Sequence, residues 1–448
     1  MPTTSAHTTT ARTRSARRRA MAALSAASAL MNAAMATASP VSTIVVADRL
    51  GVAWGAVPNT ASIAGSGIGA VLLTWVMNRR GRRASLTVGY VAAAVGAALA
   101  VPAVRGSHVA ALSFAMLLLG LGNAGGMLSR YAAAELYPPQ RRGFAISTVV
   151  WAATVGAVGG PLLLTPSSDA AARLGWTALT GPFLFAALAS AIAVVALSGV
   201  PAGAARPVRP RVAVRDLVRT PAARSTVTVM AMGQVVMVAV MTATPLHMHL
   251  HGQRLGAVGM ALSAHTLGMF ALSPLTGRLL DRFGSRPVML AGLLTLAVAT
   301  GLAAAGPSGQ VALRTSALFL LGFGWNLSFV GGSGRLAREV PAAERPQVEG
   351  AVDAAVWAAA AAVSLASTVA LSNWGYPALA AAAGTLVLLP VLVLLRHDDR
   401  APAGDATTGD ATTGDMTTGD MTTGVVAAGQ RQTDTGRGDV DTGSTRSA

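Results

Sequence analysis

The stretch "GRLLDRFGSRPV" (Gly277–Val288) sets three arginines and one aspartate between two long apolar runs. The pattern occurs earlier as "TWVMNRRGRRAS" (Thr74–Ser85), with Asn78 in place of the aspartate. Charge is otherwise scarce: the 448-residue chain is 52% hydrophobic and 12% charged, against about 25% charged in soluble domains. Apolar runs of ~20 residues, enough for a helix to cross ~30 Å of hydrocarbon, recur over most of the length. The charged knots are then turns between spans of a polytopic, all-α membrane protein.

Hydropathy read between Pro, Gly and Arg punctuation predicts six spans at 21–46, 56–77, 85–104, 109–136, 143–165 and 177–200. Six more follow at 225–247, 256–280, 287–306, 313–337, 347–371 and 376–396. An even number puts both termini on one side. Only Arg49, Arg105, Arg173, Arg254 and Arg314 fall in the alternate loops. The positive-inside bias therefore places both termini in the cytoplasm, and Trp54, Trp176 and Trp374 sit where an outer aromatic belt would. The expected location is the inner or plasma membrane.

Five regions follow: a basic N-terminal tail (1–20), a six-helix half (21–200), a central loop (201–224), a second six-helix half (225–396) and a tail (397–448). "ARTRSARRRAMAALSAASALMNAAMATASP" reads either as a secretory signal or as an uncleaved first span; the many spans that follow favour the second. The tail repeat "GDATTGDATTGDMTTGDMTTG" has nothing apolar enough to build a core, so disorder is expected there.

Several functions are excluded or disfavoured. Cysteine is absent and every basic residue is Arg. Disulfides, thiolate sites and the Gly-Lys-Ser/Thr phosphate loop are thus out of reach. "GLGNAGG" holds Gly120, Gly122 and Gly125 in the spacing of a dinucleotide loop, but inside a span with no strand before it; small residues there let helices pack closely. "HMHLH" (His247–His251) reads as a solvated helix end ahead of a metal site or pH sensor. No catalytic set, cofactor, metal or nucleic acid is expected. The partners are the lipid bilayer, a small-molecule substrate and protons, and the chain is expected to act as a monomer.

The second half overlays the first at a shift of about 203, which brings Asn78 onto Asp281, Asn123 onto Asn326, Glu135 onto Glu339 and Asn32 onto Gln234. Two parallel six-helix repeats with a midplane substrate site are one transporter architecture.

These residues resemble the major facilitator superfamily. "GRLLDRFGSRPV" is similar to its loop signature G-x-L-x-D-R-x-G-R-R; the first copy keeps Arg79, Gly81, Arg82 and Arg83 but has Thr74 for Gly and Asn78 for Asp. "AELYPPQRRG" resembles the family's end of helix 4. "TVGAVGGP", with Gly156, Gly160 and Pro161, resembles its helix-5 antiporter signature. The resemblance implies that Asp281 faces the start of helix 5 near Gly143, with Arg282 and Arg286 near Glu339. It implies that Arg79, Arg82 and Arg83 use Glu135, with Glu349 or Asp353 as further partners, closing an inner gate. Asn78 would make an uncharged latch. The competing reading is that these charges only obey the positive-inside rule.

Asp353 and Asp48 are the carboxylates embedded in spans, and such groups are costly and usually functional. They and His265 are the candidates for proton coupling, against the readings of Asp353 as a gate partner and His265 as a packed side chain. Asn32, Asn123, Gln234 and Asn326 are the amides deep within spans, one each on the first, fourth, seventh and tenth. The resemblance implies that those helices line the central cavity. With Trp325, and with Met35, Met127 and Met237 near by, they read as a neutral, partly aromatic site, or else as helix-to-helix glue. The expected function is proton-coupled efflux of a small neutral or amphipathic organic compound. The alternatives are an importer or facilitator of a small polar nutrient and a sensor that does not transport.

Overall fold

The computed structural model describes residues 4–138, 141–202, 221–306, 309–339 and 345–396. The expectations for most of the central loop and for the tail after 396 fall outside the described residues, as do the side chains of Glu339, Glu349 and Asp353. Among the described residues every regular element is helical.

The first half contains α1 (Thr4–Leu50), α2 (Val57–Arg80), α3 (Arg82–Arg105), α4 (Val109–Ala134), α5 (Arg142–Leu162) and α6 (Gly181–Ala196). The second contains α7 (Pro221–Leu250), α8 (Leu255–Phe283), α9 (Ser285–Ala305) and α10 (Val311–Glu339). Among the described residues eleven stretches are long and apolar enough to span a membrane. The last, Ala355–Arg396, is two spans read as one: the backbone turns at Gly375 (φ 77°), giving α11 (345–374) and α12 (376–396). Twelve spans result.

Three boundaries differ from expectation. α1 begins at Thr4, not at 21: residues 11–20 (ARTRSARRRA), mostly Ala and Arg, are good helix formers and extend the helix back from the apolar span. α5 stops at Leu162, and a short helix Leu164–Arg173 follows it. α8 breaks at 271–272, just before Pro274, whose missing N–H interrupts the ladder.

The duplication is visible in the backbone. Gly81 (φ 83°) ends α2 and starts α3, and Gly284 (φ 80°) makes the same turn between α8 and α9. A side chain is strained at such φ values, so glycine is what lets the two charged loops turn in so few residues. The other positive-φ glycines pair in the same way, Gly51 with Gly252 and Gly175 with Gly375.

Packing repeats as well. A β-carbon on Gly120 of α4 would overlap the Ser62 carbonyl of α2, and one on Gly65 would overlap that of Leu117. In the second half Gly322 and Gly268 meet His265 and Phe319 likewise, between α10 and α8. Two large apolar clusters form the core: one centres on Leu24, Met31, Tyr90, Met116 and Phe183 of the first half and takes in Met248, Val258, Leu262 and Leu318 of the second, and the other centres on Val236, Leu293, Leu321 and Tyr376. Large apolar side chains such as Leu188, Val195, Leu294 and Leu388 are exposed, as suits a surface facing lipid.

Candidate functional site

Because the spans are twelve, an even number, the start of α1 and the end of α12 share one end of the bundle, called here the terminal face. At the opposite, far face the two halves are bonded to each other. The two Asp48 carboxylate oxygens of α1 lie 3.2 and 3.3 Å from His249 Nε2 of α7. Asn59 of α2 accepts from Ser39 and donates to Ser364 of α11 at 3.1 Å. Thr368 of α11 donates to the Ala53 carbonyl, and Ser263 of α8 to that of Val158 in α5. The Pro161 carbonyl fits against Gly259 of α8, where a β-carbon would overlap it.

The signature charges bond differently at the terminal face. Arg82 pairs with Glu135 at 2.5 Å and donates to the Ala132 carbonyl, all within the first half. Arg79 lies over the Trp75 ring at 4.3 Å, Arg83 is exposed and Asn78 is half-buried. In the second half Arg286 donates to the Leu394 carbonyl of α12, and Arg282 lies over Phe283. Arg338, which the sequence reading did not single out, donates to the Ser285 hydroxyl. Asp281 is exposed, and no hydrogen bond or ion pair joins it to another described residue. The expected partner of Asp281 at the start of α5, near Gly143, lies among side chains outside the described ones. A latch of this kind is a feature of one conformation, and here the described interhalf bonds lie at the far face.

At mid-depth the four amides separate into two kinds. Asn326 is buried and committed: it donates to the Met269 carbonyl at 2.7 Å and to Ser273 at 2.9 Å, and accepts from Thr276. These bonds satisfy backbone freed at the break in α8. Its counterpart Asn123 donates to Ser66 of α2 at 3.3 Å, so both clasp neighbouring helices of the same half. Gln234 accepts a 2.6 Å bond from the Trp325 indole N–H. Trp325 stacks on Phe329 at 4.8 Å and meets Phe270 edge-on at 6.3 Å. Asn32, half-buried, donates to its own helix at Ser28 and keeps its amide oxygen available. No charged residue occurs in the turns that carry Asn32, Gln234 and Trp325.

The remaining candidates disperse. His265 is fully buried against α10, its Nδ1 on the Leu318 carbonyl at 2.9 Å. Asp48 belongs to the far-face latch. Gly156 and Gly160 seat α5 against α1, where β-carbons would overlap the Ala29 and Ala33 backbone, and Thr37 donates to the Gly160 carbonyl.

Arg314 differs most from its sequence reading as a loop arginine. It is buried, donates to the Ala303 and Gly306 carbonyls ending α9, and lies 4.4 Å over Tyr376. Arg105 over Trp176 is the first-half analogue. The signal was present as "GW" (175–176) and "GY" (375–376), a glycine turn plus aromatic at the repeat distance.

A family model, Major Facilitator Superfamily, matches residues 24–256 and 250–427. The chain is 31% identical over 382 residues to the uncharacterised MFS-type transporter YdeG of Bacillus subtilis (strain 168), covering 82% of this chain and 89% of that one. It is 29% identical over 347 residues to the riboflavin transporter RfnT of Brucella anthropi, covering 74% and 84%. The xylose transporter XylE of E. coli, in a partially occluded inward open conformation, superposes with a TM-score of 0.62 at 18% identity, over 86% of this chain and 98% of that one.

Proposed function

This chain belongs to the major facilitator superfamily, and from that premise we propose that it exports a small neutral or amphipathic organic compound in exchange for protons. The observation that carries the substrate class is the Gln234–Trp325 pair: an indole fixed by an amide and backed by Phe329, in turns free of charge. Such a wall offers an aromatic face to stack on and amide edges to hydrogen-bond, without an ion to neutralise. The GAVGGP signature of α5 supports export. Asp353 and Asp48 are the proposed proton carriers.

The terminal face is proposed to be cytoplasmic, on the arginine bias. The conformation is then read as closed to the outside and unlatched within, one of the two end states of alternating access.

The test is transport into vesicles holding the purified protein. Solute-driven change of internal pH supports antiport. Solute movement without a pH response would replace antiport by facilitation, and no movement of any compound in a broad panel would leave only a sensor. A second reading, import of a planar polar nutrient, is favoured by the likeness to a riboflavin transporter, since a flat heteroaromatic suits the same stacked wall. Uptake driven by an inward proton gradient would select it.

Two predictions concern the latches. The absence of cysteine makes single-cysteine labelling clean. Asn78→Asp is expected to lower labelling at the terminal mouth, by adding the missing charge to the first-half loop. Asp281→Asn is expected to raise it. Equal labelling of both variants and wild type removes the gate.

At the far face Asp48→Asn is expected to raise labelling of the far mouth, because it removes the carboxylate that meets His249 of the other half. The pair is partly exposed and worth about 0–1 kcal/mol, so the shift in the equilibrium is at most about fivefold.

A further inference from the structure

We propose that a pocket at the terminal face binds an anionic phospholipid, its phosphate on Arg17, Arg18 and Arg141 and an acyl chain along α5. The pocket has a volume of about 850 Å³ and is lined by those three arginines, Tyr137 and Phe144. Its walls come from the start of α1, the α4–α5 connection and the first turn of α5. Among the described residues no carboxylate lines it. Arg17 lies 4.9 Å over the Tyr137 ring, which meets Phe144 edge-on at 6.2 Å.

A positive-inside bias alone would leave arginines splayed into water. Here an aromatic floor holds one guanidinium in place and the other two share the same concavity.

The second observation is what continues from the pocket. Phe144 is 65% exposed, and Trp151, Val155 and Leu162 follow it as exposed apolar side chains. Steps of seven, four and seven residues keep all four on one helix face. At 1.5 Å per residue this ridge is about 27 Å long, more than the ~15 Å that one leaflet contributes to the hydrocarbon core. A soluble phosphate would satisfy the arginines and leave the ridge bare; a soluble apolar molecule would do the reverse. A phosphodiester with an acyl chain matches both, and basic pockets at membrane-facing helix ends recognise such headgroups.

The test uses the full-length protein in phosphatidylcholine nanodiscs doped with dibrominated phosphatidylglycerol or, at equal mole fraction, dibrominated phosphatidylcholine. Bromine quenches nearby indoles, and subtracting the signal of Trp151→Phe protein isolates Trp151. Stronger quenching by the phosphatidylglycerol is expected. Its preference should fall roughly fivefold for each of Arg17→Gln, Arg18→Gln and Arg141→Gln and survive the three Arg→Lys replacements. Melting curves in the same discs identify any variant that is misfolded, and the single and Lys variants then carry the test.

Equal quenching by the two lipids in wild type overturns the site. So does an unchanged preference in a folded triple Gln variant. If excess inorganic phosphate erases the preference, the ligand is a soluble anion and the lipid assignment falls. None of these readouts depends on the direction of transport or on which face is cytoplasmic.

Discussion

Gly156→Ala is expected to destabilise the protein by about 1–3 kcal/mol, while Gly159→Ala on the same helix leaves it unchanged or slightly more stable. Both lie in the GAVGGP stretch, so a signature alone does not separate them. A β-carbon on Gly156 would fall on the Ala29 carbonyl of α1, whereas one on Gly159 meets nothing within 4 Å. Helix association in lipid lacks the hydrophobic drive available in water and relies on close backbone approach. Pushing α5 off α1 therefore removes contact along the interface rather than at one atom. At Gly159 the gain in helix propensity on adding a methyl, up to about 1 kcal/mol, is unopposed. Thermal unfolding in detergent, followed by size-exclusion, reads both. Equal melting of the two variants would show that α1 and α5 do not approach as described. Gly120→Ala and Gly322→Ala are expected to behave like Gly156→Ala, because each meets a backbone carbonyl across an interface.

The spans were legible because a helix in lipid must be apolar over its whole length, a demand that composition alone reports. The boundaries at Gly81 and Gly284 were legible for a related reason: charge has to sit in the turns. The duplication followed from matching those turns, and the positive-φ glycines then fell into register.

What the sequence did not disclose were contacts that depend on which helices meet. Asp48 read as an embedded carboxylate, and its partner His249 lies 201 residues away on another half. Asn326 read as a cavity amide, yet the break at 271–272 gives it carbonyl and hydroxyl partners. Arg314 read as a loop residue although it closes α9 from beneath Tyr376. In each case a residue's type was evident and its role followed from a backbone break or a helix end elsewhere.

Trp325→Ala is expected to weaken substrate binding by about 10- to 100-fold, with normal amounts of protein in the membrane. The side chain is only partly buried and its ring is stacked on one side by Phe329, so truncation removes recognition surface more than core. A stacked aromatic contact adds about 0.5–1.5 kcal/mol beyond area burial, and the lost apolar area brings the total to about 1.5–3 kcal/mol, which is the stated range at 1.4 kcal/mol per tenfold.

Gln234 acts through the indole. Gln234→Leu leaves the Trp325 N–H without its acceptor, a cost of about 1–3 kcal/mol if no substrate atom or water replaces it. In the Trp325→Phe background that donor is gone, so adding Gln234→Leu is expected to cost little more. Non-additivity of the two substitutions in binding measures the coupling directly. Asn326→Leu makes the opposite case: it strands the Met269 carbonyl and the Ser273 hydroxyl at the break in α8, and is expected to reduce the amount of folded protein before it alters affinity. Asn32→Leu, which breaks only a bond within its own helix, should leave folding intact and reduce transport. Unimpaired transport by Trp325→Ala of every compound that wild type moves would take the aromatic wall out of the pathway and leave Asn32 as its marker.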